Sequence, residues 1–276
     1  MNERDNTLLA FDRLLSIMDE LREKCPWDRE QTFDTLRPLT IEETYELSDA
    51  ILNHNHQDLV KELGDLLLHI VFYAKIGSEQ RFFTMEDVIQ KLSDKLIYRH
   101  PHVFGATTVH GSGEVVENWE KLKIKEGAGN RGVLSGVPSG LPALIKAYRM
   151  QDKARAVGFD WEVKEQVWDK VQEELGEFKE AQKKSDAKEM EEEFGDLLFS
   201  LINAARLYGI NPETALERTN QKFLQRFNHI EQEILKNGKT FENTTPAELN
   251  TIWEHAKTVG AGFTPAQIDT KTSNPK

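Results

Sequence analysis

Glu42-Glu43-Thr44-Tyr45-Glu46 is followed by Glu62-Leu63-Gly64-Asp65-Leu66-Leu67, and the pattern returns 131 residues later. The second copy reads Glu173-Glu174-Leu175-Gly176-Glu177 and then Glu193-Phe194-Gly195-Asp196-Leu197-Leu198. Acids three residues apart share one face of a helix, which pairs Glu43 with Glu46, Glu62 with Asp65, Glu174 with Glu177 and Glu193 with Asp196. The midpoint between Glu46 and Glu62 is residue 54, as is that between Glu43 and Asp65, inside the polar break His54-Asn55-His56-Gln57-Asp58. In the second copy the midpoints of Glu177 and Glu193 and of Glu174 and Asp196 both fall on Ser185, inside Lys183-Lys184-Ser185-Asp186. A turn at each centre gives two antiparallel helical hairpins, with the acid pairs level about 12 Å from the turn at roughly 1.5 Å per residue. Repetition of the whole pattern, turn included, predicts two units of one design.

The surroundings of the acids predict a metal site. Asp65 opens the run Leu66-Leu67-Leu68-His69-Ile70-Val71-Phe72-Tyr73-Ala74, and Asp196 opens Leu197-Leu198-Phe199-Ser200-Leu201-Ile202. Runs so apolar all round are expected to be buried helices. Four carboxylates meeting there repel by about 4 kcal/mol per close pair at an effective dielectric near 20. Protonation or a cation must relieve this, and an all-oxygen donor set suits a hard divalent ion such as Mg²⁺. A blander reading applies to the first copy: Thr40-Ile41-Glu42-Glu43 after Pro38 has the form of a capping box, so Glu43 could serve the helix start. Glu174 has no such reading, because Trp161 to Trp168 reads as helix upstream of it. Glu180 and Glu191 read as solvated surface acids.

Composition limits the function classes. The 276 residues suffice for two domains. A net charge of −12 disfavours general nucleic-acid binding. The single Cys25 allows neither an intrachain disulfide nor a Cys-rich zinc site. The charged start Met1-Asn2-Glu3-Arg4-Asp5 is unlike a signal peptide, and no apolar run nears the roughly 20 residues of a membrane span. A soluble cytoplasmic protein is expected.

The periodicity predicts an all-α chain. Helices are expected near 7–24, 40–53, 58–77, 84–99 and 114–124, then near 142–157, 163–184, 187–208, 212–237 and 246–259. Asn211-Pro212 and Thr245-Pro246-Ala247-Glu248 are marked helix starts. The expected plan is a first unit over 1–127, a Gly/Pro-rich linker over 128–141, a second unit over 142–262 and a disordered tail over 263–276.

Cations and aromatics repeat after the acids. Lys95 and Arg99 are answered by Lys222 and Arg226, each an i,i+4 pair on one helix face. Trp119 and Lys123 are answered by Trp253 and Lys257. Arginine suits bidentate phosphate contact, and a tryptophan beside a lysine suits a base next to a phosphate. Carboxylates, a divalent ion, cations and an aromatic together describe a nucleotide polyphosphate site. A di-iron bundle would need Glu-x-x-His pairs, and none of the eight His has a Glu three residues before it.

The two EExxE…ExxD hairpins, Cys25-Pro26-Trp27-Asp28-x-x-Gln31-Thr32, Gly158-Phe159-Asp160-Trp161 and the GDLL stretches resemble the MazG family in its two-copy form, over about residues 7–260. The resemblance implies Mg²⁺-dependent hydrolysis of nucleoside triphosphates to monophosphate and pyrophosphate, with Mn²⁺ as a substitute ion, by a homodimer that cleans or controls nucleotide pools. It implies Glu174, Glu177, Glu193 and Asp196 as metal ligands, Glu173 and Glu192 as acids that orient or deprotonate water, Lys170, Lys222, Arg226 and Lys257 on phosphates, and Trp253 on the nucleoside. The first-copy equivalents are Glu43, Glu46, Glu62, Asp65, Lys95, Arg99, Trp119 and Lys123. Position 61 is Lys where the second copy has Glu192, so the second unit is the expected main catalytic site. A non-catalytic nucleotide or metal sensor using the same pocket is the alternative.

Overall fold

The computed structural model describes residues 2–111, 113–115, 118–119, 122 and 132–259. Among them there is no strand, and no helix is long and apolar enough to cross a membrane. Backbone contacts divide the chain into two compact units, Met1–Thr108 and Val109–Lys276. Lys123, most of the expected helix 114–124, the first part of the linker and the tail 263–276 lie outside the described residues.

In the first unit α1 spans Glu3–Lys24, α2 Pro26–Glu30, α3 Phe33–Leu52, α4 His56–Glu79, α5 Met85–Arg99 and α6 Pro101–Phe104. Helices α3 and α4 pack on each other as a hairpin. Its turn passes through His54, whose φ of 53° is left-handed. Met18, Leu36, Val71, Phe72 and Ile76 form the core between α1, α3 and α4.

Two expectations are corrected here. Helix α3 begins seven residues before Thr40: Thr32 is its N-cap and accepts from the Thr35 N–H. Pro38 sits inside the helix, because burying Leu36, 3% exposed, outweighs the lost backbone bond. Thr40 therefore caps nothing, and the helix-start explanation of Glu43 fails. Nor is the Leu66–Ala74 stretch buried all round. Val71, Phe72 and Ala74 are buried, whereas Leu67, Leu68 and Ile70 are exposed on the other side.

In the second unit α7 spans Ala143–Arg155, α8 Val167–Lys184, α9 Ala187–Leu207, α10 Pro212–Lys236 and α11 Pro246–Val259. The α8–α9 hairpin turns through Ser185, at φ 57°. Val167, Val171 and Ala204 form its core, flanked by Leu197 and Leu207. Asn211 accepts from the Thr214 N–H at the start of α10. The Thr245–Glu248 capping box opens α11. Residues 161–163 are not helical, contrary to expectation. Gly158 takes a φ of 88°, and Asp160 accepts from its neighbour's N–H on Trp161, so α8 starts only after a short turn at Lys164–Gln166. The exposed apolar face recurs, with Leu198, Phe199 and Leu201 on it.

Candidate active site

In the first hairpin α3 supplies Glu43 and α4 supplies Glu62 and Asp65, with carboxylate oxygens within 4.8 Å of one another. Glu62 is 5% exposed. The Lys61 ammonium lies among these acids, 2.8 Å from Glu62 Oε1 and 3.6 Å from both Glu46 Oε2 and Asp65 Oδ2. It is held protonated chiefly by its hydrogen bond to Glu62. Glu62 Oε2 is buried and has no hydrogen-bond partner. Burial, then the charges of Asp65, Glu46 and Glu62, push the Glu43 carboxyl above its ordinary value against the pull of Lys61. Deeper in this hairpin the Thr40 hydroxyl lies 2.7 Å from His69 Nδ1 and 2.6 Å from the Tyr73 hydroxyl. Phe33 stacks on Tyr73 at 5.9 Å. Rings and a hydroxyl fill the interior.

In the second hairpin Glu174 and Glu177 from α8 meet Glu193 from α9, again within 4.8 Å. Glu174 is 6% exposed. Desolvation raises the Glu177 pKa, and the hydrogen bond to Glu174 and the charges of Glu174 and Glu193 raise it further. The Lys170 ammonium is 2.8 Å from Glu173 Oε1 and 2.8 Å from Glu174 Oε1, which keeps it protonated. Glu192 is exposed and pairs with Lys188 at 3.5 Å. A cavity of about 560 Å³ adjoins the acids, and Lys170, Glu174 and Asp196 line it. Its other walls include Met150, Gln151, Phe159, Asp160, Trp161, Phe199, Asn203 and Arg206.

Each hairpin thus gathers three of its four expected ligands directly. The fourth differs: Glu46 is linked through Lys61, and Asp196 borders the cavity. A set of carboxylate oxygens this close, with one orphaned buried oxygen on Glu62 and lysines drawn in beside both clusters, fits a hard divalent cation.

Of the expected phosphate and base contacts only Lys170 lines the cavity, and the others lie elsewhere. The Arg226 guanidinium sits 5.5 Å over the Trp253 ring, Phe223 lies 5.5 Å from the same ring, and Lys257 pairs with Glu254 at 2.6 Å. Lys222 is exposed. None of Lys222, Arg226, Trp253 and Lys257 is among the residues lining the cavity. In the first copy Lys95 and Arg99 lie on α5, and Trp119 falls in the Val109–Lys276 unit.

Sequence reading gave no site role to Gln151, Asn203 or Arg206, and it quoted Asp160 only as part of a family motif. The side chain of Arg206 is 6% exposed and forms an ion pair with Asp160, adding a second contact at 3.2 Å. Burial opposes ionisation of Asp160, but the hydrogen bonds from Arg206 and the Trp161 N–H hold its carboxyl below the usual range. Gln151 donates from Nε2 to the Phe199 carbonyl at 2.8 Å. These partners are 46 and 48 residues apart, beyond the reach of any local spacing rule.

A family model for the MazG nucleotide pyrophosphohydrolase domain matches residues 31–104 and 163–231, one segment around each hairpin. The chain belongs to the MazG family. It is 45% identical over 252 residues to the nucleoside triphosphate pyrophosphohydrolase/pyrophosphatase MazG of Thermotoga maritima, covering 90% of this chain and 96% of that protein. It is 42% identical to a nucleoside triphosphate pyrophosphohydrolase of Escherichia coli (strain K12), covering 90% and 97%. An uncharacterized Bacillus subtilis (strain 168) protein, YabN, is 41% identical over 90% of this chain and 51% of its own length. The cavity residues from Leu134 to Trp161 lie outside the matched segments.

Proposed function

We propose that this chain is a Mg²⁺-dependent nucleoside triphosphate pyrophosphohydrolase, converting NTP or dNTP and water to NMP or dNMP and pyrophosphate, with its main site in the second unit. The observation that carries the reading is the Glu174–Glu177–Glu193 cluster beside a cavity large enough for a nucleoside. Glu174, Glu177, Glu193 and Asp196 would hold the ion, Mg²⁺ with Mn²⁺ as substitute. When bound, such an ion neutralises charge on the phosphates and acidifies a bound water.

The chain's own groups do the rest. Glu173 or Glu192 orients the attacking water and accepts its proton as the oxygen bonds to the α-phosphorus. The bond from the α-phosphorus to the bridging oxygen breaks, and pyrophosphate leaves. Lys170, Lys222, Arg226 and Lys257 hold the phosphates, because catalysis at phosphorus rests largely on positioning and charge. Trp253 contacts the nucleoside. The cations of α10 and α11 are brought to the acids in a homodimer, and the exposed apolar faces of the hairpins supply the surface for it. The setting is the cytoplasm, and the role is removal or control of nucleotides in the pool.

The test is product analysis. A panel of NTPs and dNTPs is incubated with Mg²⁺ or with EDTA, and the phosphorus products are resolved by ³¹P NMR. Mg²⁺-dependent monophosphate and pyrophosphate are expected. Orthophosphate would mean that another bond is cut, and nucleotide binding without turnover would favour the sensor.

A further inference from the structure

Gln151 is 7% exposed, lines the cavity beside Glu174 and Asp196, and has one amide atom without a partner. Its Nε2 is committed to the Phe199 carbonyl at 2.8 Å. Its Oε1 is buried with no hydrogen bond. A buried acceptor held in one orientation and left unpaired is a group built to receive a donor from a ligand.

We infer that this cavity is the nucleobase pocket and that Gln151 is its specificity-determining residue, accepting a hydrogen bond from an N–H on the base edge. The inference rests on the proposed function and names the part of the substrate that the second unit reads. Three observations support it. The volume of about 560 Å³ falls within the range of small-molecule sites, and Phe159 and Trp161 offer aromatic faces for a planar ring. The arginine that lines the cavity is neutralised: Arg206 is paired to Asp160 and also donates to Asn203 Oδ1 at 2.9 Å from Nη2. The cavity therefore suits an uncharged base rather than a phosphate, while Asn203 keeps its amide N–H groups to donate beside the Gln151 acceptor. Lastly, a base inside leaves the triphosphate at the carboxylates that share the cavity lining.

The first unit has no such pocket chemistry at the equivalent positions. Ser200, Asn203 and Ala204 are replaced there by His69, Phe72 and Tyr73, with Phe72 3% exposed. Base reading is assigned to the second unit alone.

The test compares Gln151→Met, which keeps length and removes the acceptor, with wild type on two substrates: the preferred NTP and methyl triphosphate, which has no base. About a tenfold loss of kcat/KM for the NTP, through KM, with methyl triphosphate unchanged, is the expected result. Equal losses on both substrates would overturn the inference, since Gln151 would then only position α9 through Phe199. A change of base preference in Trp253→Ala and not in Gln151→Met would also overturn it. Should Gln151→Met fail to fold by its thermal melt, Ala154→Leu narrows the same cavity and is expected to exclude the base while sparing methyl triphosphate. Calorimetric binding of α,β-methylene nucleotides separates the two readings. Base-dependent affinity lost in Gln151→Met without any turnover keeps the pocket and removes the hydrolase. Turnover with identical affinities for every base and for methyl triphosphate does the reverse.

Discussion

The α3–α4 and α8–α9 hairpins share one backbone plan, turning on His54 and Ser185 at φ 53° and 57° and each bringing three carboxylates together. They part company in what lies next to the acids. In the first, Thr40, His69 and Tyr73 knit the interior, and a lysine two-thirds exposed reaches back into the cluster. In the second, Val171, Ser200 and Ala204 stand at those positions, and a cavity adjoins the acids. A duplicated hairpin keeps its charge cluster through the spacing of a few acids. Whether a ligand can approach the cluster depends on the size of side chains one turn away. The largest test of this contrast is catalytic. Glu174→Gln is expected to lower kcat/KM for NTP by about 10³-fold, the scale of losing a preorganised electrostatic contact. Glu43→Gln should change it less than about threefold. Steady-state pyrophosphate release measures both, and a large loss in Glu43→Gln would make the first hairpin a working site.

The next contrast is structural. Arg206 and Lys75 occupy equivalent places on α9 and α4. Arg206 is buried against Asp160, whereas Lys75 pairs with Asp19, itself 63% exposed, at 2.6 Å. Arg206→Met removes a buried guanidinium, leaves the partly exposed Asp160 carboxylate without its charge partner and should cost about 2 kcal/mol. Lys75→Met should cost less than about 1 kcal/mol. Urea denaturation of the two variants checks the difference, and similar midpoints would erase it.

The fold was largely legible because its signals are local. Acids three apart, polar breaks at 54 and 185, and caps at Asn211 and Thr245 each act over one turn of helix. The errors came where a long-range contact won. Thr40-Ile41-Glu42-Glu43 matches a capping box, but Thr32 upstream also has a cap, and packing Leu36 into the core drew the helix back through Pro38. Residues 161–163 looked helical, yet the lock between Asp160 and Arg206 holds the preceding chain in a turn. The apolar runs of α4 and α9 looked buried, and only one side of each is. The acids of the candidate site were readable from spacing. The cavity was not, since it is made by Gln151, Asp160 and Arg206 meeting across tens of residues.

Lys61 sharpens the comparison further. It stands where the second copy has Glu192, and its ammonium contacts three carboxylates. Any divalent ion must displace a cation that is already tethered there. Lys61→Glu removes that competitor, adds an acid and should tighten Mn²⁺ binding in the first unit by roughly fivefold to tenfold, given the modest strength of exposed charge contacts. Isothermal titration in a Glu174→Gln background reads the first unit alone. An unchanged affinity would mean that Lys61 does not compete with metal.

The smallest effect concerns protons. Burial lowers the His69 pKa, against the raising influence of Asp65, and Ser200 at the equivalent position cannot titrate. A folded pKa below the unfolded value of about 6.5 means that the unfolded chain binds the proton first. The stability contributed by neutral His69 is then full above about pH 6.5 and is lost as pH falls toward the folded pKa. Amide exchange at about pH 7.5 and about pH 5.5, bracketing that window, should show protection of α4 falling more in wild type than in His69→Gln. The glutamine can keep a hydrogen bond to Thr40 and has nothing to titrate. An equal fall in both proteins would place the pH sensitivity of the first hairpin in its acids rather than in its interior.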